Sequence, residues 1–227
     1  MNSVIDYPLN ELFETLQGEG FFTGVPAIFE RLQGCPVGCS WCDTQHTWAL
    51  NTEDEVGEIR AVLAKSDANS HYCRLTATAL LAECQRQGYH ARHLVITGGE
   101  PCMYDLVPLC DALHAGGFTT QIETSGTFDV KVPAATWVTV SPKVNMAGGY
   151  KVLQSALDRA NEIKHPVAME KHVDELLQLL QRTDTTAKLI YLQPISQQRR
   201  ATELAIAMCK RHNFRLSVQV HKYLGIS

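Results

Sequence analysis

The 227-residue sequence predicts an α/β fold, a partial and open barrel of about six parallel strands with helices on the outside. Three observations predict it. Short apolar runs alternate with amphipathic stretches, the pattern of βαβ units and a parallel sheet. Several runs end in a polar or glycine-rich tip, "TGGEP", "ETSG", "SPK" and "QP", as at the carboxyl strand ends where α/β sheets carry their sites. Only six or seven such runs are visible, too few for a closed eight-stranded barrel of about 250 residues. A doubly wound sheet shares this periodicity and stays the alternative.

The expected strands are 26–34 ("PAIFERLQG"), 93–99 ("HLVITGG"), 119–126 ("TTQIETSG"), 137–142 ("WVTVSP"), 188–194 ("KLIYLQP") and 215–221 ("RLSVQVH"), with a weaker one at 162–167. Helices are expected at 75–87, 105–116, 172–182 and 196–212, with less regular ones at 53–65 and 151–159. No Pro/Gly/Ser-rich linker, repeat or low-complexity tract divides the chain, so 1–227 reads as a single domain. In "AIFERLQ" the period of two places Ala27, Phe29, Arg31 and Gln33 on one face. If that face looks into the barrel, Arg31 is a buried guanidinium in need of an anion, and a carboxylate suits its bidentate fork.

A net charge of −4 lacks the basic footprint of a nucleic-acid binder. The N-terminal stretch lacks the basic and apolar regions of a secretory signal. No segment approaches the roughly 18 apolar residues of a membrane helix. A cytoplasmic protein is expected, and in that compartment thiols stay reduced.

Against that background "GCPVGCSWCDTQH" stands out, with Cys35, Cys39 and Cys42 at C-x3-C-x2-C spacing. In a reducing compartment clustered cysteines read as metal ligands rather than disulfides. A Cys3His zinc site completed by His46 is formally available. An iron–sulfur cluster is the other option, and three cysteines on a [4Fe–4S] cube leave one iron open for a small molecule. Cys73, Cys84, Cys102, Cys110 and Cys209 stand alone and read as core residues, with Cys102 set apart by its place after "GGEP".

The triplet after the first strand, the aromatic Trp41 before its last cysteine, and "GGEP" at 98–101 together resemble the radical S-adenosylmethionine (SAM) superfamily. "ETLQGEGFFTGVPAIFERLQGCPVGCSWCDT", "IETSGT", "TVSPKVNM" and "LSVQVHKYLGI" narrow the resemblance to the 7-carboxy-7-deazaguanine synthase family, of the enterobacterial type, from Tyr7 to the C-terminus. The resemblance implies a lyase of queuosine and deazapurine biosynthesis. It would convert 6-carboxy-5,6,7,8-tetrahydropterin to 7-carboxy-7-deazaguanine with release of ammonia.

The implied cofactors are a [4Fe–4S] cluster on Cys35, Cys39 and Cys42, SAM, and Mg2+ on Thr44. SAM would meet Gly98, Gly99, Glu100, Glu123, Ser125, Ser141, Pro142, Lys143 and Gln193. The substrate would meet Leu16, Gln17, Gly18, Arg31, Thr97, His221 and the terminal carboxylate at Ser227, with the tail 215–227 closing its pocket. Ser227 replaces the proline that ends some members. Glu19 has no clear role. The implied partners are a second copy of the chain and a flavodoxin- or ferredoxin-type electron donor, with no nucleic acid and no membrane. A glycyl-radical activase shares the triplet but has no use for "LQGEG" or Thr44, and a non-enzymatic Cys3His zinc module is the other rival.

Overall fold

The computed structural model describes residues 5–65, 67–195 and 198–226. Among these, nine strands form one sheet: β1 (Asp6–Leu16), β2 (Pro26–Leu32), β3 (Cys73–Thr76), β4 (His93–Gly98), β5 (Thr119–Thr124), β6 (Trp137–Val140), β7 (Glu162–Val167), β8 (Leu189–Pro194) and β9 (Arg215–Leu216). Their order is β3-β1-β2-β4-β5-β6-β7-β8-β9. From β2 through β8 six strands run parallel, as the sequence predicts. The helices are α1 (Ile59–Leu63), α2 (Ala77–Arg86), α3 (Val107–Ala115), α4 (Gln154–Arg159), α5 (Glu170–Leu180), α6 (Arg199–His212) and α7 (Val220–Leu224).

Alternation along the parallel strands sorts side chains by face. Leu94, Ile96 and Ile122 point outward into a core shared with Leu109 and Leu113 of α3. Val138, Val140, Ile163 and Leu192 do the same beneath Leu176 of α5 and Ala205 of α6. The opposite face carries Phe29, Arg31, Thr97, Glu123, Lys164 and Gln193, all of which line one cavity. Residues of β2 and of β8, at the two sides of this parallel run, therefore meet round one cavity, and the sheet is curved into an open barrel.

Four elements differ from the sequence expectation, β3 among them, since the helix expected from residue 75 begins only at Ala77. β1 was not foreseen, because Asn10, Glu11 and Glu14 interrupt its apolar pattern. It pairs antiparallel with both β2 and β3 and extends the sheet by two strands. The expected helix at 53–65 is a short 3-10 turn at Thr52–Asp54 followed by α1. Between them Val56 donates its backbone N–H to the Tyr72 carbonyl instead of continuing a helix.

The expected strand 215–221 shrinks to β9. Ser217 N still donates to the Leu192 carbonyl at 3.0 Å, while its Oγ accepts from Gly20 N at 3.0 Å; beyond it the tail leaves the sheet, and Val220 N donates to the Gly18 carbonyl at 3.0 Å. The loop after β1 thus crosses the barrel's open seam and is stitched to the C-terminal segment. At the amino-terminal mouth, Phe21 stacks on Trp137 at 4.7 Å and Phe22 lies 4.2 Å from the His93 ring. Trp137 and His93 begin β6 and β4, so these aromatics plug that end. The cavity opens at the other.

Candidate active site

The cavity has a volume of about 340 Å³ and sits at the carboxyl ends of the parallel strands. On one wall stands the cysteine loop. Its neck is closed by backbone bonds from Gly34 N to the Thr47 carbonyl (2.7 Å) and from Cys35 N to the Trp48 carbonyl (2.9 Å). The buried Gln33 amide donates to the carbonyls of His46 and Ala49 and holds the same neck from below. Gly38, at φ +71°, turns the loop against Ala147 and Gly148.

All eight cysteines are free thiols, and Cys35, Cys39 and Cys42 line the cavity together. Burial pushes the Cys35 thiol up to about 11; a backbone hydrogen bond from Val37 opposes this, while Glu100, Cys39 and Cys42 add to it. Burial raises Cys39 as well, against the pull of the Lys143 ammonium. The thiols therefore feel one another's charge. They form a soft donor set suited to a cluster that takes them as thiolates.

The Cys3His zinc site lacks its histidine. His46 lies 3.4 Å from Glu11 Oε1, turned toward that carboxylate. Among the described residues no three His, Cys, Asp or Glu side chains converge on a position for a single metal ion. Cys73, Cys84, Cys102, Cys110 and Cys209 are buried thiols, and Cys102 lies behind Glu100, which accepts its backbone N–H at 3.0 Å.

"GGEP" has a clear structural logic. A Cβ on Gly98 would lie 2.2 Å from the Leu32 carbonyl oxygen, and one on Gly99 2.2 Å from that of Gly34. These glycines let the tip of β4 press against the start of the cysteine loop, so the close approach is to neighbouring backbone. Glu100 is buried and binds the β5 tip: it accepts from Thr124 Oγ1 (2.6 Å), Ser125 N (2.8 Å) and Ser125 Oγ. Both carboxylate oxygens have donors within the protein. Any ligand ammonium there shares an already satisfied acceptor.

Thr44 lies on the cavity wall, its hydroxyl 3.5 Å from Cys42 Sγ. Arg31 lines the same cavity, pointing inward as alternation predicts, with a partner the sequence did not reveal. Arg31 Nε donates to Glu11 Oε2 at 2.7 Å, which leaves the terminal nitrogens of the fork for a ligand. Glu11 and Arg31 are cross-strand neighbours, and so are Phe13 and Phe29, whose rings stack at 5.6 Å. Recognising β1 is the signal that exposes all four.

Lys164 is the other residue missed from sequence. It is 3% exposed and sits between two carboxylates, 2.5 Å from Glu19 Oε2 and 3.0 Å from Glu123. Burial works against its ammonium, but Glu123, Glu19 and Glu162 more than compensate and hold it protonated. Burial raises the Glu19 carboxyl, and Lys164, with help from Gln219, reverses this and lowers it to about 2. Glu123, raised by burial, is helped less by Lys164 and opposed by Glu19 and Glu162, and comes to about 7.

The remaining expected residues divide. Leu16, Gln17, Gly18, Thr97, Ser125, Ser141, Lys143, Gln193 and His221 all line the cavity. Gln17 bonds inward to Gln121 (3.3 Å) and to the backbone N–H of Glu19 (3.1 Å), and Gln193 accepts from Ser217 Oγ. Pro142 lies instead in a smaller adjoining recess with Trp41 and His165. Ser227 lies outside the described residues.

The chain is 57% identical to 7-carboxy-7-deazaguanine synthase of Escherichia coli K12 over 224 residues, 98% of this chain and 100% of that one. The chain belongs to the 7-carboxy-7-deazaguanine synthase family. The member from Buchnera aphidicola is 43% identical over 97% of the chain and 99% of its own length. The crystal structure of QueE from Escherichia coli superimposes with a TM-score of 0.92, at 57% identity, covering 95% of each chain. No protein-family model matches the chain.

Proposed function

We propose that the protein is a radical SAM lyase that converts 6-carboxy-5,6,7,8-tetrahydropterin to 7-carboxy-7-deazaguanine with loss of ammonia, in queuosine biosynthesis. The observation that carries the proposal is one cavity lined by the three thiols of the triplet, by Thr44 and by the half-free Arg31 fork. Family membership over the full chain supports it.

Cys35, Cys39 and Cys42 would hold a [4Fe–4S] cluster, which with SAM would supply the radical chemistry that takes a hydrogen atom from the substrate. Lys143 and the strand tips at Glu100, Ser125 and Ser141 receive the methionine end of SAM. Arg31, oriented through Nε by Glu11, holds the substrate carboxylate with its terminal nitrogens. The Thr44 hydroxyl offers Mg2+ a hard oxygen while its proton can face Cys42 Sγ. The aromatic plug and the stitched tail keep bulk water from the reacting ring. A homodimer, a cytoplasmic location and a flavodoxin- or ferredoxin-type donor complete the proposal.

Reduced protein incubated with SAM, Mg2+ and 6-carboxytetrahydropterin is expected to yield the deazaguanine acid, detected by mass spectrometry. Its absence from a sample with an intact cluster would sink the substrate assignment. Cys39→Ala is expected to lose bound iron. Thr44→Ala is expected to keep iron and SAM binding but turn over slowly. Equal iron loss in both would contradict the division of roles.

A further inference from the structure

Trp48 lies six residues beyond the last cysteine of the triplet, and its main chain and side chain reach two of the three. Its carbonyl accepts from Cys35 N at 2.9 Å, and its own N–H donates to the Gln45 carbonyl at 3.1 Å. Those bonds fix the backbone at the neck of the loop and hence the position of the indole, whose Nε1–H donates to Cys42 Sγ at 3.4 Å. The next turn of the same neck is held by Thr47, which is buried and donates its hydroxyl to the Thr44 carbonyl at 2.8 Å.

An indole N–H can only donate, so this contact has one polarity. The sulfur is the acceptor, and it accepts more strongly as its negative charge grows. Hydrogen bonds to the sulfurs are among the features that set the potential of an iron–sulfur cluster. Trp137 is arranged differently. It stacks in the plug at the opposite mouth, and its indole N–H is buried without an acceptor.

We infer that Trp48 is a redox-positioning residue: its indole N–H, aimed at the Cys42 sulfur, stabilises the reduced state of the cluster and so raises its potential. The inference rests on the cluster assignment made above. The reduced cluster carries one more negative charge, and a donor facing a ligating sulfur favours that form. Removing the donor leaves Cys42 as a ligand but makes the cluster harder to reduce.

The test is an EPR-monitored redox titration of the reconstituted holoenzyme and two variants. One is Trp48→Phe. The other replaces Trp48 with β-(3-benzothienyl)alanine, which keeps the bicyclic shape and exchanges the N–H for sulfur. Both variants are expected to bind wild-type iron and to be about tenfold less reduced at a fixed potential, the effect of one ordinary hydrogen bond. For one electron this is a shift of about 59 mV to lower potential.

With 15N-labelled tryptophan, the reduced wild-type cluster is expected to show a nitrogen coupling that Trp48→Phe lacks, while Trp137→Phe retains both the coupling and the wild-type potential. Should Trp48→Phe fail to assemble the cluster, the benzothienyl variant decides through the same titration. An unchanged potential in the benzothienyl variant, or an equal shift in Trp137→Phe, overturns the inference. Failure of the wild type itself to bind iron would overturn the cluster assignment instead.

Discussion

Glu19 and Glu30 are both withdrawn from bulk water, and the protein treats them in opposite ways. Glu30 points from β2 into the outer core, where it is 0% exposed and neither oxygen has a hydrogen-bond partner. Burial alone raises its carboxyl to about 8. Glu19 meets Lys164 and Gln219 across the barrel seam, and they bring it to about 2 despite its desolvation. Burial sets the penalty for a carboxylate; a partner of opposite charge decides whether it is offset.

The sharpest way to break the contrast is Lys164→Met, which leaves Glu19 and Glu123 facing each other with no cation between them. Removing one partner of a buried ion pair costs about 3–5 kcal/mol. Urea unfolding is expected to show a loss of that size, partly recovered when Glu19→Gln is added. An unchanged midpoint would mean that water serves Glu19 as well as the ammonium does.

Next in size is Glu30→Met, which removes the unpaired carboxylate and keeps the chain length of the side chain. It is expected to stabilise the protein at pH 8 by about 1–3 kcal/mol, the cost of an unpaired buried polar group. The pH dependence has opposite signs at the two sites. Glu30 in the folded state takes a proton more readily than in the unfolded chain, so its penalty is absent below about 4.5 and grows as pH rises to about 8. Glu19 contributes stability above about 4.5 that is lost as pH falls toward about 2. Unfolding curves across pH 4–9 should show the alkaline loss diminish in Glu30→Met and persist in Glu19→Gln.

The smallest effect tests the seam itself. A Cβ at Gly18 would stand 2.3 Å from His221 Nδ1. Gly18→Ala is expected to push that ring and the tail aside at a cost under about 1 kcal/mol, within the range of mild substitutions. KM for the pterin should rise several-fold with kcat less affected. A wild-type KM would detach the tail from the substrate pocket.

Much of this architecture can be read along the chain. The six parallel strands follow from apolar runs, and the site end from their polar tips. The thiol triplet is a matter of spacing, and Arg31 faces the cavity because side chains alternate along a strand. The reading stops where a feature needs an unforeseen neighbour. Asn10, Glu11 and Glu14 make β1 look like a loop, although Tyr7 and Leu9 are fully buried; without β1, Arg31 lacks Glu11 and Phe29 lacks Phe13. "RLSVQVH" has a strand's composition, yet its far end trades sheet bonds for Gly18 and Gly20.

What the sequence by itself determined is local: strand periodicity, the glycines that let β4 meet the cysteine loop, and three soft ligands within eight positions. Tertiary structure alone decided which charges were answered. Lys164 and Glu19 are 145 residues apart, and Glu11 meets Arg31 only once two strands pair. Alternation specifies a face, but the energy of a buried charge depends on what stands opposite, and that is settled when the sheet curves and closes.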